Sequence, residues 1–130
     1  MIIGVPKEVK SDEYRVALLP VGAQLLCEDG HEVLVQASAG EGSGYDDAEY
    51  ERCGATIIDT AEELFARSEL VVKVKEPQPA EFDLLRDAQT LFTYFHLAAD
   101  RELTRQVIEA RIAAVAYETL RDRQGRLCLL

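Results

Sequence analysis

Apolar and polar positions alternate in blocks along this chain, and most blocks close on a residue that stops them. Met1–Val5 is an apolar run ended by Pro6, which predicts a strand, and the polar stretch from Lys7 to Tyr14 has no helical or strand period and reads as a loop. Pro20 suits the first turn of a helix, Ala23, Leu26 and Cys27 give it an apolar stripe, and Gly30 supplies a left-handed stop, so a helix is predicted from Pro20 to Asp29. His31 to Gln36 alternates about Val33 and Val35 as a second strand, which runs out in the glycine-rich stretch Ser38 to Gly44. The cycle then repeats. Asp46 to Arg52 reads as a short helix ended by Gly54, Thr56 to Ile58 as a strand, and Thr60 as the cap of a helix with Glu63 at the capping-box position. Leu70 to Lys75 is the most strand-like segment, stopped by Glu76-Pro77. Phe82 to Arg86 reads as a short helix, Thr90 to Phe95 as a strand, Asp100 to Ala110 as a helix with Leu103, Val107 and Ala110 on one stripe, and Ala113 to Tyr117 as the last strand.

Strands that are nearly all apolar are buried on both faces, and their alternation with helices predicts an α/β layer fold of Rossmann-like or flavodoxin-like type, with a mainly parallel sheet and helices on both faces. With 130 residues, 48% of them hydrophobic, one domain is expected. The terminal run Leu127-Cys128-Leu129-Leu130 has no turn, charge or cap after it, so the chain is expected to be a piece of a longer protein that enters its next segment here. Lys+Arg 14 against Asp+Glu 24 gives a net charge of -10, a field that repels phosphate backbones and anionic lipid, so no nucleic-acid or membrane partner is expected. No apolar run approaches the ~20 residues that span a bilayer, and no targeting segment follows Met1, so a cytoplasmic location is expected. Cys27, Cys53 and Cys128 are odd in number and widely spaced, which predicts buried free thiols rather than a disulfide framework or a metal site.

Parallel α/β sheets bind ligands beyond the carboxyl ends of their strands. Four ionisable residues are expected on that edge: Arg15 after the first strand, Lys75 closing Leu70–Lys75, His96 closing Thr90–Phe95, and Glu118 after Ala113–Tyr117. Lys73 and Lys75 lie two apart on one face of their strand, where a buried ammonium needs an anion or the solvent of a site; the spacing alone does not choose between them, and either can instead reach water at the sheet edge. His96 is a candidate acid and base near neutral pH, although a strand-end histidine also serves as a simple hydrogen-bonded cap, while His31 at a strand start reads as structural. Arg15 offers the two-pronged grip that fits a carboxylate, and is singled out by its place near Lys75 and His96. Glu118, Tyr94 and Tyr117 are weaker candidates. Gly40-Glu41-Gly42-Ser43-Gly44 fails as G-x-G-x-x-G, since Tyr45 stands at the sixth position, and reads as a turn.

The opening Met1-Ile2-Ile3-Gly4-Val5-Pro6-Lys7-Glu8 with Glu13-Tyr14-Arg15-Val16-Ala17-Leu18, then Lys73-Val74-Lys75-Glu76-Pro77, Phe92-Thr93-Tyr94-Phe95-His96-Leu97-Ala98 and Ala116-Tyr117-Glu118-Thr119, resemble the bacterial alanine dehydrogenases, in order and over the whole chain. The alpha subunits of proton-translocating transhydrogenases share the opening but not the Lys-Val-Lys-Glu-Pro and His-Leu-Ala segments. The resemblance implies NAD-dependent, reversible oxidative deamination of L-alanine to pyruvate and ammonia. In that family the arginine matching Arg15 binds the substrate carboxylate, the lysine matching Lys75 contacts the substrate and the histidine matching His96 is the acid and base. It further implies a homo-oligomer, a homohexamer, and NAD bound by a nucleotide-binding domain absent from this chain. Residues 1-130 then form the amino-terminal part of the catalytic (substrate) domain, inactive unaided. A transhydrogenase-like domain and a non-catalytic α/β binding module are the competing readings.

Overall fold

The computed structural model describes residues 1–129; Leu130, the last residue of the apolar terminal run, lies outside the described residues. The first strand, β1 (Ile2–Val5), ends where Pro6 removes the next backbone N–H from the ladder. It is followed by α1 (Pro20–Glu28), β2 (Glu32–Gln36), α2 (Asp47–Arg52), β3 (Thr56–Ile58), α3 (Ala61–Arg67), β4 (Leu70–Val72), β5 (Thr90–Thr93), α4 (Arg101–Glu109) and β6 (Ala113–Ala116). The strands form one sheet in the order β3-β2-β1-β4-β5-β6, with every neighbouring pair parallel. This is the Rossmann order, in which the direction of strand addition reverses between β1 and β4. The α/β class, the parallel pairing and helices on both faces stand as the residue pattern predicts, and strand order decides for Rossmann-like over flavodoxin-like.

Alternation within β2 divides the core. Val33 and Val35 pack with Val5, Ala23 of α1 and Tyr50 of α2 on one face. Leu34 between them packs on the other with Leu64 and Phe65 of α3, Val71, Leu91, and Leu103 and Val107 of α4. Helices α1 and α2 therefore cover one face and α3 and α4 the opposite one. The caps are built locally. Asp46 and Glu49 exchange side-chain-to-backbone hydrogen bonds as a full capping box at α2. At α3 only the forward half forms: the Thr60 hydroxyl accepts from Glu63 N–H at 3.2 Å, while the Glu63 carboxylate accepts from Arg67 one turn on.

Most strands match their apolar runs to within a residue, but two end earlier than predicted. Thr90 to Phe95 contracts to Thr90–Thr93, and Leu70 to Lys75 contracts to Leu70–Val72, so neither His96 nor Lys75 lies within a strand. For β4 the cause is its neighbour, because β1 pairs with it only at Ile3–Leu70 and Gly4–Val71 before Pro6 leads the chain away. Residues Phe82 to Arg86 do not form an α-helix; a 3-10 turn over Pro79–Leu84 takes their place, started by Pro79. The thiols are less buried than expected, since Cys27 and Cys53 are half-buried on helix flanks and Cys128 is exposed; all three are free. No helix of the described residues is long and apolar enough to cross a membrane.

Candidate active site at the carboxyl edge of the sheet

Because the strands are parallel, their carboxyl ends open on one edge, and the loops after β1, β4, β5 and β6 leave from it. The loop after β1 leads to α1 on one face and the loop after β4 leads to the other, so the crevice of the topological switch lies between them. Arg15 stands on the first of these loops and Lys75 on the second.

Arg15 is exposed, and its guanidinium grips the Glu13 carboxylate in a fork, Nε to Oε1 at 2.7 Å and Nη2 to Oε2 at 2.6 Å. The fork fits a carboxylate as expected of this residue, but Glu13, two positions away, is its partner in this structure. The arginine draws the Glu13 carboxyl down to about 2 against a smaller opposing effect of burial, and Lys75 stands close enough to add to the pull. Arg15 in turn lies within electrostatic reach of Tyr94 and Glu8. The loop that carries Arg15 is held from below by the glycine-rich segment: the Ser43 hydroxyl accepts from Val16 N–H at 3.1 Å, and a Cβ on Gly42 would fall 2.3 Å from the Tyr14 carbonyl oxygen. Glycine is needed there for close backbone approach.

The two lysines differ sharply. Lys73 is fully buried, and its ammonium donates to Glu81 at 2.8 Å and to Glu8 at 3.3 Å, both carboxylates also buried. Lys75 is half-buried in the loop beyond the strand, near Glu13. Their shared face predicted from a strand through residue 75 does not form, since the strand has ended at Val72. Lys73 is thus taken up inside the fold, and Lys75 is the lysine left at the edge. Burial pushes the Glu8 carboxyl above its ordinary value, against the pull of Lys73 and of the Val74 N–H that it accepts at 2.7 Å.

His96 is exposed at the start of the 3-10 turn Leu97–Ala99 and holds φ of 51°, a left-handed conformation that non-glycine residues seldom adopt. Its ring stacks on Tyr94, with centroids 5.9 Å apart and planes within 9°. Glu118 explains the turn. Its carboxylate accepts from His96 N–H at 2.7 Å and from Phe95 N–H at 3.3 Å, tying the end of β5 to the loop after β6. Burial opposes the charge on Glu118, but the backbone N–H groups of His96, of Glu118 itself and of Phe95, with the nearby imidazole, outweigh it and hold the carboxyl below its usual range. Tyr117 packs edge-on against Phe92 and Tyr94 at 4.3 and 4.8 Å, and burial pushes its hydroxyl up to about 12, so its place is in the packing.

Along this edge Arg15 is forked to Glu13, which also feels the charge of Lys75, while Tyr94 stacks on His96 and Glu118 holds the His96 N–H. Sequence reasoning missed Glu8, Glu13 and Glu81. Only Glu13, two residues from an arginine, had a local signal. A strand order of this type takes a pyrophosphate on a tight glycine turn between β1 and the first helix. Here that connection is the long segment from Pro6 to Leu19, α1 opens on Leu19 and Pro20, and the space at Gly42 is filled by Tyr14. These residues do not fit a dinucleotide.

Comparison with known proteins gives the arrangement a lineage. The chain is 49% identical over 130 residues to an alanine dehydrogenase of Halomonas elongata, covering 100% of this chain and 35% of that protein. A solved L-alanine dehydrogenase structure superposes with a TM-score of 0.94 at 48% identity, over 98% of this chain and 35% of the other. A transhydrogenase from Sinorhizobium meliloti superposes with a TM-score of 0.85 at 28% identity, over 95% of this chain and 35% of the other. The chain thus spans about a third of the length of these relatives. The family model described as alanine dehydrogenase/PNT, N-terminal domain, matches residues 4–130, and the chain belongs to that family.

Proposed function

We propose that the complete protein catalyses the reversible, NAD-dependent oxidative deamination of L-alanine: alanine, NAD⁺ and water give pyruvate, ammonium, NADH and a proton. In this reading residues 1-130 are the amino-terminal part of the substrate domain, and NAD is held by a part of the protein outside this chain. Without that part the chain is inactive. The protein works in the cytoplasm as a homohexamer, without nucleic-acid or membrane partners.

The observation that carries the reading is a carboxylate-gripping arginine whose present partner, Glu13, also feels the charge of Lys75, on the two loops that flank the switch point of the sheet, in a chain that matches alanine dehydrogenases along its whole length. Arg15 exchanges Glu13 for the substrate carboxylate and receives it with two parallel charge-assisted hydrogen bonds. Lys75 adds a point charge that orients the 2-position and favours negative charge on the keto oxygen. His96, stacked on Tyr94 and held by Glu118, takes the proton from the water that attacks the imine carbon and returns it to the departing nitrogen. Three groups from three loops then fix the reacting carbon, which is how orientation lowers the barrier.

The test is NADH formation from L-alanine and NAD by the complete protein, with Lys75→Ala and His96→Ala alongside. Turnover by the wild type and its loss in both variants is expected; turnover absent from the wild type refutes the reading. The likeness to a transhydrogenase favours one second reading, hydride exchange between two nicotinamide nucleotides. That reading requires exchange in the absence of any amino acid.

A further inference from the structure

Beyond Val71, strand β4 loses one of its two neighbours. The regular strand stops at Val72 and the backbone bends at Val74 and Lys75, yet two hydrogen bonds still tie this segment to the β5 side: Lys73 N–H donates to the Phe92 carbonyl at 3.0 Å and Tyr94 N–H to the Val74 carbonyl at 3.3 Å. The Val74 N–H points the other way, toward the side that β1 vacates at Pro6. A buried N–H left there without an acceptor is costly. The acceptor is the Glu8 carboxylate, which receives the Val74 N–H on Oε1 at 2.7 Å and the Lys73 ammonium on Oε2 at 3.3 Å. One side chain of the loop after β1 thus occupies the place of the missing strand carbonyl, and the residue it fixes is the one before Lys75.

We propose that Glu8 is a positioning residue: its carboxylate replaces the missing continuation of β1, fixes the Lys73–Val74 peptide that leads into Lys75, and so sets where the Lys75 ammonium stands relative to Arg15. The assignment of Lys75 and Arg15 to substrate rests on the function proposed above; the tie between the two loops does not. Three further contacts show that the tie is built on both sides. Lys10 of the first loop pairs with Glu76 of the second, next to Lys75. Glu81 takes the Lys73 ammonium on one oxygen and the Gln78 N–H on the other at 2.8 Å, closing the far end of the second loop. Lys73 therefore neutralises the anchor, while the anchor alone reaches the Val74 backbone. Both oxygens of Glu8 are engaged by the Val74 backbone and the Lys73 ammonium, which is why its role is positioning rather than catalysis.

Glu8→Gln keeps an oxygen that can accept from Val74 N–H, Glu8→Ala keeps none, and Glu8→Asp keeps the charge opposite Lys73 but retracts the carboxylate by one methylene. Two readouts on the complete protein separate the ideas. Hydrogen exchange of peptides covering residues 73–78 is expected to accelerate in the Ala and Asp variants and to stay near wild type in the Gln variant. In steady-state reductive amination the Ala and Asp variants are expected to raise the KM for pyruvate about 10- to 100-fold with the KM for NADH unchanged, and the Gln variant to recover most of that loss. A general loss of structure moves both KM values or none and is not rescued by Gln. If Glu8→Ala does not fold, Glu8→Asp carries the test. Unchanged exchange at residues 73–78, or a pyruvate KM within twofold of wild type in the Asp variant, overturns the proposal. If instead the wild type proves inactive on alanine and pyruvate, the functional reading fails while exchange still decides the role of Glu8.

Discussion

Replacing Lys73 with Met tests the reasoning about buried charge most directly. The lysine side chain is 0% exposed and its two partners, Glu8 and Glu81, are 2% and 4% exposed, so one cation stands between two carboxylates with little water to screen them. Met has a similar length and shape and no charge, so the substitution leaves packing nearly intact and strands the carboxylates. Each can escape its charge by taking a proton. Against an ordinary value of 4.5, protonating one carboxyl costs about 3.4 kcal/mol at pH 7 and about 0.7 kcal/mol at pH 5. With the hydrogen bonds lost, the destabilisation at pH 7 is expected at about 3–5 kcal/mol, the range for removing one partner of a buried ion pair, or roughly 10–20 °C in Tm for a domain of this size. The sign of the pH effect follows. In the variant the folded state binds protons that the unfolded state releases, so stability rises as pH falls from 7 toward 4.5 and the gap to wild type narrows. Urea unfolding followed by circular dichroism at pH 7 and pH 5 measures both quantities. A loss below about 1 kcal/mol at pH 7, or an equal loss at the two pH values, refutes the argument. The triple change Lys73→Met, Glu8→Gln, Glu81→Gln is expected to recover most of the stability, since neutral amides need no counter-ion and can still accept from the Val74 and Gln78 N–H groups.

Lys75→Ala is expected to show the opposite profile, with stability within about 0.5 kcal/mol of wild type and kcat/KM of the complete enzyme reduced by about 10²–10³, measured by denaturation and NADH formation in parallel. His96→Gly relieves a left-handed backbone and is expected to raise stability by up to about 1 kcal/mol while turnover is lost; a stability decrease argues against strain at this residue. Glu13 has its carboxyl drawn down to about 2, so the stability it adds is present above 4.5 and is lost as pH falls through that window. In Glu13→Gln, the Tm difference from wild type is therefore expected to shrink between pH 5 and pH 2, as a thermal scan at each pH checks.

The alternation of short β-branched runs with capped helical segments made the layer architecture and its parallel pairing legible, because burial on both faces leaves a mark in the sequence that needs no tertiary knowledge. Arg15, Lys75 and His96 were legible as candidates for a related reason: each follows an apolar run that must be a strand, and parallel strands share an exit. What the residues alone did not reveal is how their charges are shared. Lys73 and Lys75 are indistinguishable by composition and period, and what separates them is that β1 turns away at Pro6, a tertiary event recorded nearly 70 residues earlier in the chain. Glu8 and Glu81 are acidic residues in polar surroundings by sequence, and their burial follows only from contact with Lys73. The left-handed turn at His96 was equally hidden, since its support, Glu118, arrives from the loop after the neighbouring strand.

The position of β1 in the sheet also bears on synthesis. The strand of this sheet that is synthesised before the other five lies in its interior, and its second neighbour, β4, begins only at Leu70. At a translation rate of about 5–20 residues per second, the nascent chain carries Ile3 and Val5 beside an open strand edge for roughly 3–13 seconds before that neighbour exists. Even once β2 has formed, the emerging half-sheet presents an apolar margin of the kind that recruits other unfolded chains. The interval is set by the order of the strands along the chain rather than by the energetics of the finished fold, and slower elongation between β1 and β4 lengthens the exposure of that edge.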